Sequence, residues 1–576
     1  MKKLQNKNIF NQKIIDILFL IMSFSLAFNN IPKFIQMNFI GGVLGNKLIF
    51  YPLIFGFIYT VYLQSKNKIK FQYLDKALKF IFIYSSIIIL SLIFGLYNYP
   101  YYDLVINGPL NQIEKLPKVL NILQQLGINI DEKLIVALWM IVRTIKNLLL
   151  EIVYTFCGAY MIYCWYYDNW KYGFKIFVKG IIAALLVMFS YNLIEVLYLA
   201  GNYTAESILK EITPYFHTIK TSFDWWPPLL WKGQLRSYFS EPSNYGTYFA
   251  VVMPMLWYLL SSYSKTKKFL VAVAIIFFTF CLFLTQARTA VVLFIGEIVI
   301  LIIVNLYLKN INLLRNTFVI MLVSSIGFFA SNFFINSFVN FNNVQQISQN
   351  MDNKKLENKI KNEVNKTNEQ SNIKNIKKQE SNMLYKIKNE VNIYLEKNVL
   401  SLLSSNKRSN GARYSTIIAD FKIGLDNPIL GVGSSLRNAY VPEYLPEMSQ
   451  NNNEVNLWIR LQKEKGILKS GFPNLCEYTN RFAETGILGL GIFLLPATVL
   501  LKRLLTKIKN YNINADSNTV YVYFTISFIG IMASAIGSTI NATYFYWILL
   551  GLGYAMCFGK ENDVETNGDT CSRQEH

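Results

Sequence analysis

Three arginines lie in the connections before or between predicted apolar segments, where a guanidinium group can bind an anion. Arg236 lies five residues before Glu241 and precedes a long apolar segment, and Arg288 stands in a short connection between two apolar segments. Arg413 lies in a long polar connection, with ten residues between it and Gly424. A guanidinium presents five N–H donors in a planar fork that matches phosphate oxygens, and a helix N-terminus favours anions further. The three arginines are therefore candidate ligands for a phosphate or diphosphate group.

Each of these positions also has a simpler interpretation. Arg288 can extend towards the polar boundary of a membrane without binding an anion. The stretch that follows Arg236 can serve as a helix cap, provided by Ser243 or Asn244, together with an interfacial anchor. The glycines in residues 431–433 are more typical of a turn than of a phosphate-binding nest. These alternatives stay open at the level of the sequence.

Two glutamates could supply acid–base chemistry beside the arginines. Pro242 keeps Glu241 out of the helical region of backbone space, so its carboxylate lies at the start of the next predicted helix. Glu484 precedes the glycine-rich start of a later apolar segment. A carboxylate can remove the proton of an attacking hydroxyl group, and we take Glu241 as the candidate general base with Glu484 as the second candidate. A salt bridge to Arg481 or Arg288 is the alternative role for Glu484.

Metal and cofactor chemistry find little support in the sequence. The chain contains only two histidines, His217 and His576, and six cysteines with no Cys-x-x-Cys pair. Metal sites in proteins are usually built from clustered histidine, cysteine and carboxylate ligands. The sequence therefore predicts no metal site, and it contains no nucleotide-binding loop or other cofactor signature.

Long apolar segments make up most of the chain and must position these residues. Hydrophobic residues account for 53% of the 576 positions and charged residues for only 16%, which excludes a soluble cytosolic enzyme as the default. A helix needs about 20 apolar residues to span a membrane. The sequence predicts an all-α integral membrane protein with about twelve transmembrane helices. The predicted spans are residues 14–30, 48–64, 78–98, 147–167, 177–200, 245–262, 268–285, 289–308, 317–338, 482–501, 518–537 and 541–558.

Basic residues cluster in every second short connection, which determines the predicted orientation. Cytoplasmic loops of membrane proteins carry an excess of lysine and arginine. On this rule both termini are cytoplasmic, and the long connections at residues 99–146, 201–244 and 339–481 face the extracytoplasmic side. The net charge of +21 then reflects orientation signals and lipid contact, so the sequence predicts no nucleic-acid partner. The stretch 134–167 is too long for one upright helix and is predicted to bend.

Composition divides the chain into five segments. Residues 1–338 form a predicted N-terminal transmembrane bundle, 339–410 an Asn- and Lys-rich insert, and 411–481 an extracytoplasmic segment with an Arg-x10-Gly pattern. Residues 482–558 supply the C-terminal transmembrane helices, and residues 559–576 form a cytoplasmic tail. The insert is predicted to be weakly ordered, because it is too polar to bury much apolar surface by itself. A large extracytoplasmic loop thus lies between the ninth and tenth predicted helices.

The order of five short motifs resembles one superfamily of membrane proteins. The motifs are Arg-x4-Glu-Pro-Ser at 236–243, Leu-Thr-x-x-Arg-Thr at 284–289, Arg-x10-Gly at 413–424, Asn-Pro-Ile-Leu-Gly-Val-Gly at 427–433 and Glu-Thr-Gly-Ile-Leu-Gly at 484–489. Together they look like the O-antigen polymerase and O-antigen ligase superfamily. The resemblance extends over residues 234–501, apart from the insert.

The resemblance implies a metal-independent glycosyltransferase of GT-C-type architecture that acts on the extracytoplasmic face of the cell inner or plasma membrane. Its substrate would be an undecaprenyl-diphosphate-linked oligosaccharide, whose diphosphate Arg236, Arg288 and Arg413 would hold. Glu241 or Glu484 would act as the base, and no cofactor would be required. Membrane lipid, and a flippase and chain-length regulator of the same pathway, are the implied partners. The product would be a surface polysaccharide such as O-antigen or capsule.

Within this superfamily the sequence favours a polymerase over a ligase. Ligases of the superfamily usually carry a histidine shortly before the Glu-x-Gly-Ile motif, whereas residues 473–483 and the whole connection 339–481 contain none. The Arg-x10-Gly pattern at Arg413 is similar to one described for polymerases. Two alternatives stay open. One is a ligase that moves the lipid-linked glycan to an acceptor, and the other is a flippase or exporter of lipid-linked oligosaccharide.

Overall fold

The computed structural model describes residues 2–28, 47–109, 131–216, 230–339, 408–510, 517–540 and 544–560, with a few further positions between these ranges. The predicted insert at 339–410 lies outside the described residues except at its ends, and so does the predicted tail beyond residue 560. The described part of the chain is 80% helical and contains no strand, which confirms the all-α prediction.

The α-helices of the described residues are numbered in chain order. The first half contains α1 (Lys2–Ser25), α2 (Phe50–Ser65), α3 (Leu74–Tyr97), α4 (Tyr102–Ile106), α5 (Glu132–Ile152), α6 (Gly158–Tyr166), α7 (Trp170–Leu199), α8 (Tyr203–Phe216) and α9 (Pro242–Ser262). The second half contains α10 (Lys265–Leu284), α11 (Arg288–Leu308), α12 (Ile311–Phe334), α13 (Arg408–Asp426), α14 (Arg437–Tyr444), α15 (Asn453–Lys465), α16 (Glu477–Lys509), α17 (Ser517–Ser534) and α18 (Phe545–Phe558).

Six of the described helices are long and apolar enough to cross a membrane. They are α3, α7, α10, α11, α12 with its extension to Val339, and α16. Two shorter apolar helices, Thr519–Ser534 within α17 and the whole of α18, accompany them. Each interval that the sequence predicts as a span overlaps a helix. The chain therefore has the helices expected of a multi-pass membrane protein, while the full count of spans and the GT-C-type architecture stay predictions.

The stretch 134–167, which is predicted to bend, contains a break in its regular helical hydrogen bonding. A π-helical turn at Val153–Cys157 separates α5 from α6. Buried residues recur along one face of α5, whereas Arg143 and Lys146 are exposed on the other. This is the pattern of an amphipathic helix with one packed face. Its position relative to a membrane surface stays a prediction.

Helix α9 lies at the centre of the helical bundle. Nearly all of its side chains are buried, and it packs against α10, α11 and α17. A helix that is apolar on every side is stable only when other helices or lipid surround it. Helix α16 packs in turn against α3, α13, α17 and α18. These contacts bring one end of α11, α13, α16 and α17 into a single region, where the candidate residues lie.

Helices α13, α14 and α15 form a small unit with its own apolar core. The buried apolar side chains of this core include Ala419, Ile423, Val441, Val455 and Trp458. Inside it the Arg437 guanidinium donates to the carboxylate of Asp420 and to the carbonyl oxygen of Phe472 (3.1 Å). The two charged side chains are only 4% and 0% exposed. Burial raises the pKa of Asp420 above its usual value, and the positive charge of Arg437 offsets part of that rise.

Replacing Arg437 with alanine is expected to destabilise this unit strongly. The change leaves the Asp420 carboxylate buried without its cation, which costs about 3–5 kcal/mol of the free energy of unfolding. Thermal unfolding of the purified protein in detergent measures the effect. Lys422→Ala, at an exposed position on the same helix, is the matched control. An Arg437→Ala variant that unfolds at the same temperature as Lys422→Ala would show that the buried pair adds no net stability.

Candidate functional site

The short connection between α10 and α11 fixes Arg288 at a helix N-terminus. The Thr285 hydroxyl accepts a hydrogen bond from the backbone N–H of Ala287 (3.1 Å), and Gln286 has a left-handed backbone with φ of 48°. Helix α11 then begins at Arg288. The turn predicted from the sequence between two apolar segments is thereby confirmed. The N-terminus of a helix adds a favourable potential for an anion to the charge of the guanidinium.

Helix α13 brings Arg413 to the same place as Arg288. Arg288 Nη1 donates to Asn410 Oδ1 (2.8 Å), and Asn410 lies one turn before Arg413 on α13. Arg413 Nη1 donates to the carbonyl oxygen of Gly537 (2.7 Å), just after the end of α17. A Cβ atom built at Gly537 would lie 3.6 Å from Thr289, the neighbour of Arg288, and 3.8 Å from Arg413 Nη1. Two arginines that are far apart in the sequence therefore converge around Gly537.

A cavity of about 370 Å³ lies between α11, α13 and α17, and we name it cavity A. Its polar lining residues are Thr289, Glu297, Asn410, Arg413, Tyr414 and Ser534, and the rest of its wall is apolar or glycine. The polar residues Thr289, Asn410 and Arg413 lie together at one end, which we name the mouth. The acceptor of the Arg413 hydrogen bond is a neutral carbonyl, so this bond does not neutralise the positive charge of the Arg413 guanidinium. The mouth can therefore bind an anion.

A second cavity of about 430 Å³, which we name cavity B, is bordered by α3, α5 and α16. Its lining includes the carboxyl groups of Glu151, Glu477 and Glu484, the guanidinium of Arg481 and the amides of Asn147, Asn474 and Asn480. Carboxylates accept hydrogen bonds and amides both donate and accept them, so such a wall can bind a ligand with many hydroxyl groups. Among the residues that the structure describes, no group of three or more His, Cys, Asp or Glu side chains could hold a metal ion.

Arg481 is the centre of a hydrogen-bonded network in cavity B. Its Nε atom donates to Glu477 Oε1 (2.6 Å), its Nη2 atom to Glu151 Oε1 (2.8 Å), and its Nη1 atom to the hydroxyl of Tyr84 (2.8 Å). The guanidinium also lies over the ring of Phe493, 3.8 Å from the ring centroid. The acidic residues that accept hydrogen bonds from Arg481 are thus Glu477 and Glu151, whereas the sequence offered Glu484 as its salt-bridge partner. The network was not predicted, because Glu151 and Tyr84 come from α5 and α3, which are far from Arg481 in the sequence.

The loop at 427–433 docks on α16 where the helix is broken at Gly486. The backbone N–H of Ile487 donates to the carbonyl of Pro428 (2.8 Å), and that of Gly433 donates to the carbonyl of Glu484 (3.0 Å). Gly486 itself has φ of 61°, outside the helical region. The glycines of this loop therefore serve a turn that binds backbone, which agrees with the simpler interpretation of residues 431–433. The break also sets the direction of the Glu484 segment at the wall of cavity B.

Replacing Gly486 with alanine is expected to disrupt this junction. The new Cβ would overlap the carbonyl oxygen of Ile429, and a left-handed backbone costs a residue with a side chain about 1–2 kcal/mol before that clash is counted. Gly491→Ala on the same helix is the matched control, because nothing lies within 4 Å of its Cβ. Thermal unfolding in detergent measures both variants. Equal stability of the two would contradict the role assigned to the break.

Cavities A and B adjoin through the segment 535–540, which connects α17 towards α18. Gly537 lines cavity A, and Thr539, two residues further along, lines cavity B. The Glu477 carboxylate accepts a hydrogen bond from the backbone N–H of Ile540 (3.2 Å), which holds the segment from the side of cavity B. Arg413 holds it from the side of cavity A through Gly537. Cavity A, with its cationic mouth, and cavity B, with its polar and acidic wall, are therefore neighbours.

Arg236 lies near the turn before α11 but does not line cavity A. The backbone N–H of Leu235 donates to the carbonyl of Leu284 (3.1 Å), which brings this segment to the α10–α11 connection. The Arg236 side chain is buried, 2% exposed, and Glu195 on α7 accepts hydrogen bonds from the backbone N–H groups of Arg236 (3.0 Å) and Ser237 (2.7 Å). Burial lowers the pKa of the Arg236 guanidinium, and the nearby Glu195 charge offsets part of that change.

Glu241 lies at the start of α9 and lines neither cavity A nor cavity B. It is the N-cap residue and has an extended backbone, outside the helical region as the sequence predicts, and Pro242 is the first helical residue. The expectation that Ser243 or Asn244 caps this helix is wrong, because both lie within its first turn. The Glu241 carboxylate instead accepts a hydrogen bond from the Ser243 hydroxyl (3.1 Å). Of the two candidate bases, only Glu484 lines a cavity described above.

No protein-family model matches the chain, and no curated protein sequence matches it either. The resemblance to the O-antigen polymerase and ligase superfamily therefore stays an expectation that rests on the five motifs. The geometry adds one independent fact to it. Two of the motifs, those containing Arg288 and Arg413, meet at the mouth of cavity A.

Proposed function

We propose that the protein is a membrane glycosyltransferase that polymerises undecaprenyl-diphosphate-linked oligosaccharide repeat units into a surface polysaccharide. The observation that carries this proposal is that Arg413 lines the mouth of cavity A, while the guanidinium of Arg288, which does not itself line the cavity, donates a hydrogen bond to Asn410 of the mouth. Two guanidinium groups at a helix N-terminus suit a diphosphate. The apolar wall behind them suits the lipid to which that diphosphate is attached. Arg236 is a weaker ligand in this proposal, because it is buried beside Glu195.

In the proposed reaction the lipid diphosphate is the leaving group. The bond between the anomeric carbon and the diphosphate oxygen breaks, and negative charge develops on that oxygen. Fixed guanidinium groups stabilise this charge strongly where water is scarce. The acceptor sugar lies in cavity B, and its hydroxyl oxygen forms the new glycosidic bond. Its proton passes to the carboxylate of Glu484, which we prefer to Glu241 as general base because Glu484 lines this cavity.

The proposal extends to the surroundings of the protein. The site lies on the extracytoplasmic face of the cell inner or plasma membrane, with both termini in the cytoplasm, as the distribution of basic residues indicates. A flippase that delivers the lipid-linked repeat unit and a regulator of chain length are the expected partners. The absence of histidine from residues 339–481 favours a polymerase over a ligase-type transferase.

The intermediates that accumulate in cells lacking the protein test this proposal. Loss of a polymerase leaves single repeat units on undecaprenyl diphosphate at the extracytoplasmic face. Loss of a ligase instead leaves long glycan on the lipid, and loss of a flippase leaves single units on the cytoplasmic face. Mass spectrometry of extracted lipid-linked glycans, with and without a plasmid copy of the protein, distinguishes loss of a ligase from the other two. Cleavage of the single units by a glycosidase added outside intact spheroplasts then distinguishes loss of a polymerase from loss of a flippase. Either of the latter two patterns would overturn the polymerase proposal.

A further inference from the structure

Glu297 is a buried carboxylic acid in the interior of α11. Its side chain lines cavity A and is only 2% exposed, and neither carboxyl oxygen has a hydrogen-bond partner among the described residues. Helix α11 is one of the helices able to cross a membrane. An ionisable group at such a position is costly to keep charged, and it is usually neutral, paired or functional. Neither catalysis nor diphosphate binding, as proposed above, uses this residue.

The neighbouring helix α17 leaves space for this carboxyl group. A Cβ atom at Gly530 would overlap Glu297 Oε1 and would lie 3.0 Å from the carbonyl oxygen of Ala250 on α9. Any side chain larger than hydrogen at Gly530 would therefore push the carboxyl group away. The acid occupies a site that three helices form together, and it faces the cavity.

No cation compensates Glu297 within the described part of the chain. Helices α9 and α17 carry no charged side chain. Apart from tyrosines and Cys281, the ionisable residues with described side chains on the other helices around α11 are Lys265, Lys267 and Lys268 on α10, Arg315 on α12, and Arg413, Asp420, Lys422 and Asp426 on α13. Of these, only Arg413 lines cavity A, beside Tyr414. Arg288, on α11 itself, lies nine residues away, about 13 Å along the helix axis.

Apart from Ser534, whose hydroxyl donates to the backbone carbonyl of Ile531 (2.7 Å), the wall between the mouth and Glu297 is apolar or glycine. It is formed by Val292, Leu293 and Gly296 on α11 and by Ile529 and Ala533 on α17. Cavity A thus has a cationic mouth, an apolar channel and an acid along its length. This arrangement complements an amphiphile with an anionic head and one apolar chain.

We propose that cavity A binds the first isoprene units of the polyprenyl chain of a lipid diphosphate, next to the head group, and that Glu297 contacts them as the neutral acid, so that lipid binding takes up a proton wherever Glu297 is ionised in the unliganded protein. The identity of the lipid in this inference is taken from the proposed function. An apolar chain beside Glu297 displaces the water that would solvate a carboxylate, and no cation replaces that water. The bound state therefore favours the protonated acid. Affinity is highest at low pH and falls as the pH rises through the range in which Glu297 loses its proton in the unliganded protein.

The affinity of the purified protein for undecaprenyl diphosphate, measured in nanodiscs of neutral lipid over a range of pH, tests this inference. A change of pH also changes the charge of the diphosphate, and it does so equally for both proteins. Dividing the affinity of wild type by that of Glu297→Gln therefore cancels this effect. This ratio is expected to be constant at low pH and to fall by up to about tenfold per pH unit above that range, the limit for one proton. Glu297→Leu is expected to match Glu297→Gln and serves if the glutamine variant does not fold. A ratio that does not change with pH would overturn the inference.

Three further measurements identify the ligand and separate this inference from the proposed function. Arg413→Ala is expected to weaken binding of undecaprenyl diphosphate at every pH. Inorganic diphosphate, which has no chain, is expected to bind wild type and Glu297→Gln equally. Competition by phosphatidylglycerol as strong as that by undecaprenyl diphosphate would assign cavity A to membrane phospholipid instead. A pH-independent ratio with a large Arg413→Ala effect refutes only the role of Glu297, whereas unchanged binding in Arg413→Ala refutes the diphosphate site itself.

Discussion

An Arg288→Ala variant is expected to lose long-chain polysaccharide and to accumulate single repeat units on the lipid carrier. Arg288 stands at the N-terminus of α11, and Asn410 on α13 orients its guanidinium through a 2.8 Å hydrogen bond. Removal of one fixed donor to a developing negative charge typically lowers a catalytic rate by about 10²–10³-fold. Gel analysis of surface polysaccharide and the turnover rate of purified protein both measure the loss.

Arg315→Ala is the control for this experiment. Arg315 lies on the neighbouring helix α12, is exposed, and lines neither cavity. Its replacement removes the same charge from the chain without touching cavity A, and near-normal chain length is expected. Arg288→Lys should retain part of the activity, because lysine keeps the charge but loses the planar fork. Wild-type chain length in a stably inserted Arg288→Ala variant would contradict the assignment.

A Glu484→Gln variant is expected to show the second largest loss, about 10²–10⁴-fold in turnover, the usual contribution of a general base. Glutamine keeps the size of the side chain but cannot accept the proton of the acceptor hydroxyl. Binding of the lipid-linked donor is expected to stay unchanged, because the diphosphate site in cavity A is separate from Glu484. Turnover and donor affinity of purified protein, measured side by side, test both statements.

A Glu241→Gln variant is the matched control for Glu484→Gln, because it makes the same change at the other candidate general base. The Glu241 carboxylate accepts a hydrogen bond from Ser243 at the start of α9 and lines neither cavity, so its replacement is expected to cost much less turnover. The reverse order, with Glu241→Gln inactive and Glu484→Gln active, would return Glu241 to the role that the sequence first suggested. It would also require cavity B to have another use.

The all-α class and the positions of the helices could be predicted because membrane helices are local. An apolar run of about 20 residues identifies such a helix without knowledge of its neighbours. The connection before Arg288 could be placed for the same reason. The break of α16 at Gly486 could not, because it depends on a backbone contact with Ile429, which belongs to a different segment.

The candidate site was predictable in part. Arg288 was recognised from its position at the end of an apolar segment and Arg413 from the Arg-x10-Gly pattern, and the structure connects them through Asn410, although only Arg413 lines cavity A. Arg236 and Glu241 were recognised by the same reasoning but line neither cavity, since a motif does not say where a side chain points. The partners of Arg481 come from α5 and from its own helix, and only the fold unites them.

Glu297 and Glu195 had a signal that sequence reasoning can detect. Each is a carboxylic acid within an otherwise apolar helix, on α11 and α7 respectively. Such residues are rare in membrane helices and usually have a function or a specific partner. Glu195 binds the backbone of the Arg236 segment, and Glu297 faces cavity A. An acid inside an apolar segment therefore merits the same attention as an arginine at its end.

The most direct test of the account is the reaction of purified protein with its own substrate. Lipid-linked repeat units extracted from cells that lack the protein are incorporated with it into liposomes, and the products are analysed by mass spectrometry. We expect glycans of two or more repeat units, with one undecaprenyl diphosphate released for each new glycosidic bond. We expect the Arg288→Ala variant to form none of these longer glycans. Repeat units of unchanged length in the presence of folded wild-type protein would contradict the account.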